Sequence, residues 1–157
     1  MRIPLQLWNR PHWELKGQWD TVLFFQYLLA AFPDATTLFI EGTSIAPDVS
    51  ALLISAGEPG DYLPAKQTIW PRPKQYRLRC DSQTLIGLAG LAERNAGPEL
   101  LDHLFIYSGL DVLMEFPDAF AEDCPAFISA DANEQHVRSF ADTLHLTLTD
   151  VRQSQPR

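Results

Sequence analysis

Apolar and polar residues alternate at the very start of the chain, where Ile3, Leu5 and Leu7 flank Pro4 and Gln6. Such alternation predicts a short half-buried strand, and the proline places it at a sheet edge. From about Gln18 to Phe32 the pattern changes. Trp19, Val22, Leu23, Phe24, Phe25, Leu28 and Leu29 lie almost all around a helical wheel, which predicts a largely buried first helix. Thr36 to Ile40 is a short β-prone run between Pro33-Asp34 and Gly42. From about Pro47 to Ala56, apolar side chains recur with helical spacing at Val49, Leu52, Leu53 and Ala56, and Gly57 is a natural stop.

Residues 57–76 break the pattern. Pro59, Pro64, Pro71 and Pro73 each remove a backbone donor, so regular structure is not expected there. Tyr76 to Cys80 reads as a strand. Asp81 or Ser82 is suited to cap a third helix carrying Leu85, Leu88, Ala89 and Ala92 on one face. Gly97-Pro98 ends it, and Pro98 starts one more turn through Leu101.

The last third is the clearest. Leu104–Tyr107 and Asp111–Phe116 flank Ser108-Gly109, a hairpin signal, and Pro117 ends the second strand. Ala126–Ser129 follows as another strand. Asp131 and Glu134 then resemble a capping box before the apolar stripe Val137, Phe140, Ala141 and Leu144. Leu146 and Leu148 alternate with threonines and suit an edge strand. The expected fold is α+β: a single mixed sheet of about five or six strands with about four packed helices. Its first half alternates strand and helix, and its second half is an antiparallel meander plus a helix. Residues 1–150 read as one globular domain and 151–157 as a frayed polar tail.

Charge adds a second pattern. Net charge is −8, but residues 81–150 alone carry −11, with thirteen acids against two cations. The stretch from Lys66 to Arg79 holds five cations and no acid. An acidic chain is a poor general binder of nucleic acid or anionic membrane, because phosphate neutralisation needs clustered cations. The N-terminal stretch has no long apolar signal core, and the most apolar window, Trp19 to Phe32, is too short to span a bilayer. A cytoplasmic protein that does not engage membrane is expected.

Catalytic signals are sparse. His12, His103, His136 and His145 share no metal-pair spacing, and each reads as structural before catalytic. Cys80 and Cys124 form neither a disulfide framework nor a zinc knuckle, and no cofactor motif is present. Cys124 follows Glu122 and Asp123, whose charges favour a neutral thiol. Cys80 has the better electrostatic setting, beside Arg77 and Arg79, but no local base.

Three sets of residues are candidate contacts. Glu115, Asp118, Glu122 and Asp123, interleaved with Phe116 and Phe120, suit a recognition loop in which carboxylates steer and aromatics anchor. They lack the loop pattern of a calcium site, and an exposed acidic loop between two strands explains them more readily than metal binding or acid–base catalysis. Glu41, Thr43 and Ser44 sit where a strand ends and a helix begins, a place where open α/β sheets gather ligands. Glu41 would repel phosphate, and helix capping by Thr43 or Ser44 also accounts for them. Trp70, Arg72 and Lys74 combine stacking with charge, as single-strand nucleic-acid binders do, or else pair with the protein's own acidic face.

Together these features favour a non-enzymatic acidic domain that docks a basic protein through an acidic face, using Glu115, Asp118, Phe120, Glu122 and Asp123. In general character the chain resembles bacterial immunity proteins and toxin inhibitors, whose targets are often cationic nucleases. No motif carries that resemblance, so no residue role follows from it. The alternative is a small α/β enzyme or anionic-ligand-binding domain with a site near Glu41–Ser44. Nucleic-acid contact through Trp70, Arg72 and Lys74 is a third and weaker reading.

Overall fold

A computed structural model describes residues 5–64 and 73–151. The described residues form seven strands and five helices: β1 His12–Lys16, α1 Thr21–Ala31, β2 Thr37–Gly42, α2 Pro47–Ser55, β3 Lys74–Arg79, α3 Ser82–Ala92, α4 Gly97–Leu100, β4 His103–Ser108, β5 Asp111–Phe116, β6 Ala126–Ser129, α5 Glu134–Leu144 and β7 Thr147–Val151. The strands make one sheet in the order β3-β2-β4-β5-β6-β1-β7. The α+β class and the single sheet agree with the sequence pattern.

The sheet is antiparallel at every pairing where a mixed one is expected. The reason lies in the connection after α2. A strand, one helix and a strand would give a parallel pair. Here Gly57, just past α2, bridges Leu78 near the far end of β3. The connection to β3 therefore starts beside the end of β3 opposite its first residue, as the antiparallel pairing requires.

Helix starts follow from side-chain caps. Asp20 accepts the Leu23 N–H at 3.0 Å and Asp81 accepts the Thr84 N–H at 2.8 Å. For α5 the cap is Asn133, which accepts the His136 N–H at 3.1 Å, and not Asp131 as the capping-box spacing suggests. Asp131 instead lies in the turn that Ser129 closes through the Ala132 N–H. For α2 the N-cap is Ala46, so Thr43 and Ser44 do not cap it.

The helices pack side by side on one face, in the order α2, α3, α1, α5. Their apolar stripes meet Trp13, Leu15, Leu38, Ile40, Ile106, Phe116 and Ile128 of the sheet in the main core. The other face carries a smaller core of Phe39, Phe105, Tyr107, Val112 and Phe127, and chain segments rather than helices cover it. Leu7 is buried there, and Leu5, Tyr62 and Leu63 pack against the same cluster.

That cover corrects the first expected strand. Residues 5–7 form no strand, and residues 1–4 lie outside the described residues. Both Gln6 and Leu7 donate their backbone N–H groups to the Glu115 carboxylate, at 2.9 and 2.6 Å. The strand forms later, at His12–Lys16, where Trp13 and Leu15 face the helices and His12 and Glu14 face the other way. The polar tail expected at 151–157 lies almost wholly outside the described residues.

Candidate functional site

Register brings several sequence-marked residues to one end of the sheet. Gly42 pairs with Lys74, Glu41 with His103, and Leu104 with Phe116. The Thr43–Ser44 turn, the start of β3, the start of β4 and the loop after β5 therefore meet. Asp102, which the sequence reading did not single out, joins them. Its carboxylate accepts from the Thr43 N–H at 2.9 Å and from the Thr43 hydroxyl at 2.8 Å. Its backbone N–H donates to Glu41 O at 2.7 Å, and its carbonyl accepts from the Ala119 N–H at 2.8 Å.

His103 ties the next loop down. Its Nδ1 accepts the Asp118 N–H at 3.0 Å, so the ring nitrogen facing the loop carries no proton. Asp118 and Phe120 both have left-handed backbones, with φ of 48° and 69°. Aspartate tolerates this region, whereas phenylalanine does so only when tertiary packing holds it. Phe120 is held by edge-to-face contacts with Trp19, Phe24, Phe25 and Phe116 at 5.2 to 6.4 Å. The strained loop is thus pinned from inside by aromatics and from outside by His103 and Asp102.

The result is a small cavity of about 260 Å³ whose walls include Leu101, Asp102, His103, Asp118, Ala119 and Ala121. Beyond it, Glu122 and Asp123 stand exposed at the tip of the loop. Asp118 has 70% of its side chain exposed, and its carboxylate lies 3.9 Å from His103 Nδ1. No described cation pairs with Asp102, Asp118, Glu122 or Asp123. Two further acids have polar partners of their own: Asp48 is held by Arg94 and Asn95, and Glu99 accepts the Ala96 N–H. Asn95 and Arg94 together hold the Asp48 carboxyl below the usual range.

The recognition loop read from the sequence is therefore divided. Asp118, Glu122 and Asp123 face outward. Glu115 is 1% exposed and anchors the segment before β1, while Phe116 is in the core and the half-buried Phe120 packs against it. Burial, the largest cause, pushes the Glu115 carboxyl up, against the two N–H donors, Arg10 and His12. Alternation alone cannot show which way a carboxylate in a strand points when both faces of the sheet are covered.

The Glu41–Ser44 turn loses its rationale as a ligand site. The rule that places ligands at strand ends belongs to parallel sheets, and this sheet is antiparallel. Glu41 is buried beside Gln75, whose amide donates to it at 3.2 Å. Thr43 and Ser44 are exposed, and Thr43 is occupied by Asp102.

Of the third set, Trp70 and Arg72 lie outside the described residues, and Lys74 is exposed at the start of β3. The neighbouring cations pair locally. Arg77 reaches Glu58 at 3.3 Å and donates to Asp61 O at 2.8 Å, and Arg79 lies 3.6 Å from Asp81. These pairs sit on the same edge of the fold as the cations, away from Glu122 and Asp123.

Neither thiol is activated. Burial, then Asp81, pushes Cys80 up to about 12, and the nearby arginines do not offset this. Cys124 is raised by burial first, then by Asp118 and Asp123. Among the described residues no group of three or more side chains is arranged to hold a metal ion, and no helix is long and apolar enough to cross a membrane. Comparison with protein-family models, with curated proteins and with solved structures finds no match to this chain.

Proposed function

We propose that this protein is a non-enzymatic binding domain that docks a basic protein through the acidic end formed by Asp102, Asp118, Glu122 and Asp123. The observation that carries this reading is the combination of rigidity and uncompensated charge at that end. Four carboxylates from two connections lie at this end without an ion pair to a described Lys or Arg, Lys16 being the cation that acts on the adjoining Cys124. The loop that carries three of them is tied down by the Asp118 N–H to His103, by the Ala119 N–H to the Asp102 carbonyl, and by the half-buried Phe120. Fixed like charges at one site cost stability through mutual repulsion, and an oppositely charged partner relieves that cost. Preorganised charge also speeds encounter, since little ordering is left to do on binding.

A toxin-inhibitor or immunity role in a cytoplasmic, bacterial setting is the specific form of this reading, with a cationic nuclease as the target class. The division of the chain's charge supports it over nucleic-acid binding. Arg77 and Arg79, the described arginines of the basic stretch, are already paired.

The test is affinity capture from native lysate with the wild-type chain and with the triple variant Asp118→Asn, Glu122→Gln, Asp123→Asn. The expected result is a basic protein retained by the wild type at low salt and lost both at high salt and from the variant. Retention that ignores salt and the three substitutions would sink the proposal.

A further inference from the structure

His12 is buried on the second face of the sheet, only 2% exposed, and both of its ring nitrogens face acceptors. Nδ1 lies 2.6 Å from Arg10 O, and Nε2 lies 3.1 Å from a Glu14 carboxylate oxygen. A carbonyl and an ionised carboxylate can only accept, so each nitrogen must donate. A neutral imidazole has one N–H and satisfies only one of the two bonds. The geometry therefore calls for the doubly protonated, cationic ring.

The surroundings bear on that charge from several elements. Glu14 shares the ring's face of β1, with the exposed Lys16 further along it. Glu115 of β5 and His12 act on one another through their charges, and Arg10 acts on the same carboxylate. Tyr107 of β4, whose hydroxyl burial pushes up to about 12, stays neutral beside them. From β6, Phe127 meets the ring edge-on with centroids 5.3 Å apart. The residues paired with His12 are Ser129 of β6 and Val151 of β7, neither of which titrates.

What the ring holds is a cover. Residues 5–11 contain no strand or helix, so a few bonds decide whether they stay down. The His12 bond to Arg10 O fastens the end of the segment, and the Arg10 N–H donates to Leu7 O at 3.2 Å. Leu7 is held in turn by Glu115 and buries its side chain in the second core. Gln6, Arg10 and Pro11 also wall a cavity of about 510 Å³, larger than the one beside the docking loop, whose lining includes Asp34, Asp111 and Asp131.

We infer that His12 is a proton-operated latch, which fastens residues 5–11 over the second face of the sheet when protonated and releases them when the proton is lost. A ring that keeps only Nδ1–H turns the Nε2 lone pair on the Glu14 carboxylate. A ring that keeps only Nε2–H turns the Nδ1 lone pair on the Arg10 carbonyl. In both cases a buried bond becomes a repulsion, and the segment gives way because nothing else anchors its C-terminal end. The closed state needs the second proton and the open state does not, so closure is favoured as pH falls and opening as pH rises. Opening uncovers the part of the second core that Leu7 seals. The latch is independent of the acidic end.

Amide hydrogen exchange of the full chain at about pH 6 and about pH 9, a range that spans histidine titration, tests the latch. Protection of the Leu7 N–H should fall by about tenfold or more across that range, as expected for a lost charge-assisted hydrogen bond, while amides of β2 and β4 keep theirs. In Glu14→Gln the amide can donate to a neutral ring, so Leu7 should stay protected at both pH values. Glu115 is present in both chains, and its own titration cancels in the comparison. In His12→Phe an aromatic ring still packs on Phe127 but no donor remains, so Leu7 should be poorly protected at both. Wild-type protection of Leu7 that does not change with pH overturns the proposal, as does a Glu14→Gln variant with the wild-type pH response. Parallel loss at β2 and β4 would mean that the whole fold opens and would overturn it too. Nitrogen NMR gives a second reading that needs no variant: at about pH 6 both His12 nitrogens should carry protons, and a neutral ring under a closed segment would contradict the latch.

Discussion

Glu115 shows how one side chain ties a segment to a sheet. It lies in the middle of a strand, yet its carboxylate takes two backbone N–H groups from residues far away in sequence. Truncation by Glu115→Ala removes the acceptor of both donors and should cost about 1–3 kcal/mol for the buried Leu7 N–H, the exposed Gln6 being open to water. The pH dependence has a definite sign. Its carboxyl is raised above the ordinary value, so the native state holds this proton more tightly than the unfolded chain. Its contribution to stability is complete below the ordinary carboxylate range and is lost as pH rises through the raised value. Urea unfolding of wild type and Glu115→Gln between about pH 4 and pH 7 isolates the effect, because the other carboxylates cancel in the difference. The advantage of the wild type over the variant should shrink as pH rises. Growth of that advantage with pH would contradict the assignment. None of this was visible in the sequence, where Glu115 looked like one acid among four; what decides its role is Leu7 packing on the second face of the sheet.

Elements were more legible than residues. Each helix with a clear apolar stripe formed where its periodicity placed it, and the Ser108-Gly109 hairpin formed as its turn chemistry requires, with Gly109 at a φ of 59°. Asp81 was readable as a cap because it directly precedes an uncharged apolar run. Its carboxyl is lowered, chiefly by the Thr84 backbone N–H. Asp81→Ala should therefore lower stability by about 1 kcal/mol, the usual value of such a cap, measurable as a lower thermal midpoint. An unchanged midpoint would mean that α3 is held by packing alone. Two elements escaped sequence reading for physical reasons. The strand His12–Lys16 has only Trp13 and Leu15 on its core face, too few for periodicity to register. The antiparallel pairing of β2 with β3 depends on where the chain leaves α2, which is a property of the long connection and not of any strand.

At the scale of the whole molecule, the sorted charge of the sequence resolves into three parts. One buried carboxylate, Glu115, is structural. Asp34, Asp111 and Asp131 line the larger cavity at one end of the sheet, and Asp102, Asp118, Glu122 and Asp123 lie at the other, where docking is proposed. A linear count of acids could not separate these groups, because antiparallel strands carry sequence neighbours to opposite ends. The central claim concerns the docking end and is kinetic as much as structural. The most direct measurement is the association rate constant of the captured partner, taken by stopped flow over ionic strengths from about 0.01 to 0.5 M, for the wild type and for the variant Asp118→Asn, Glu122→Gln, Asp123→Asn. The wild-type rate should fall steeply with salt, and the variant should associate about tenfold or more slowly at low salt with a much flatter dependence. A wild-type rate that does not change with salt, or a variant indistinguishable from it, would contradict docking through the acidic end.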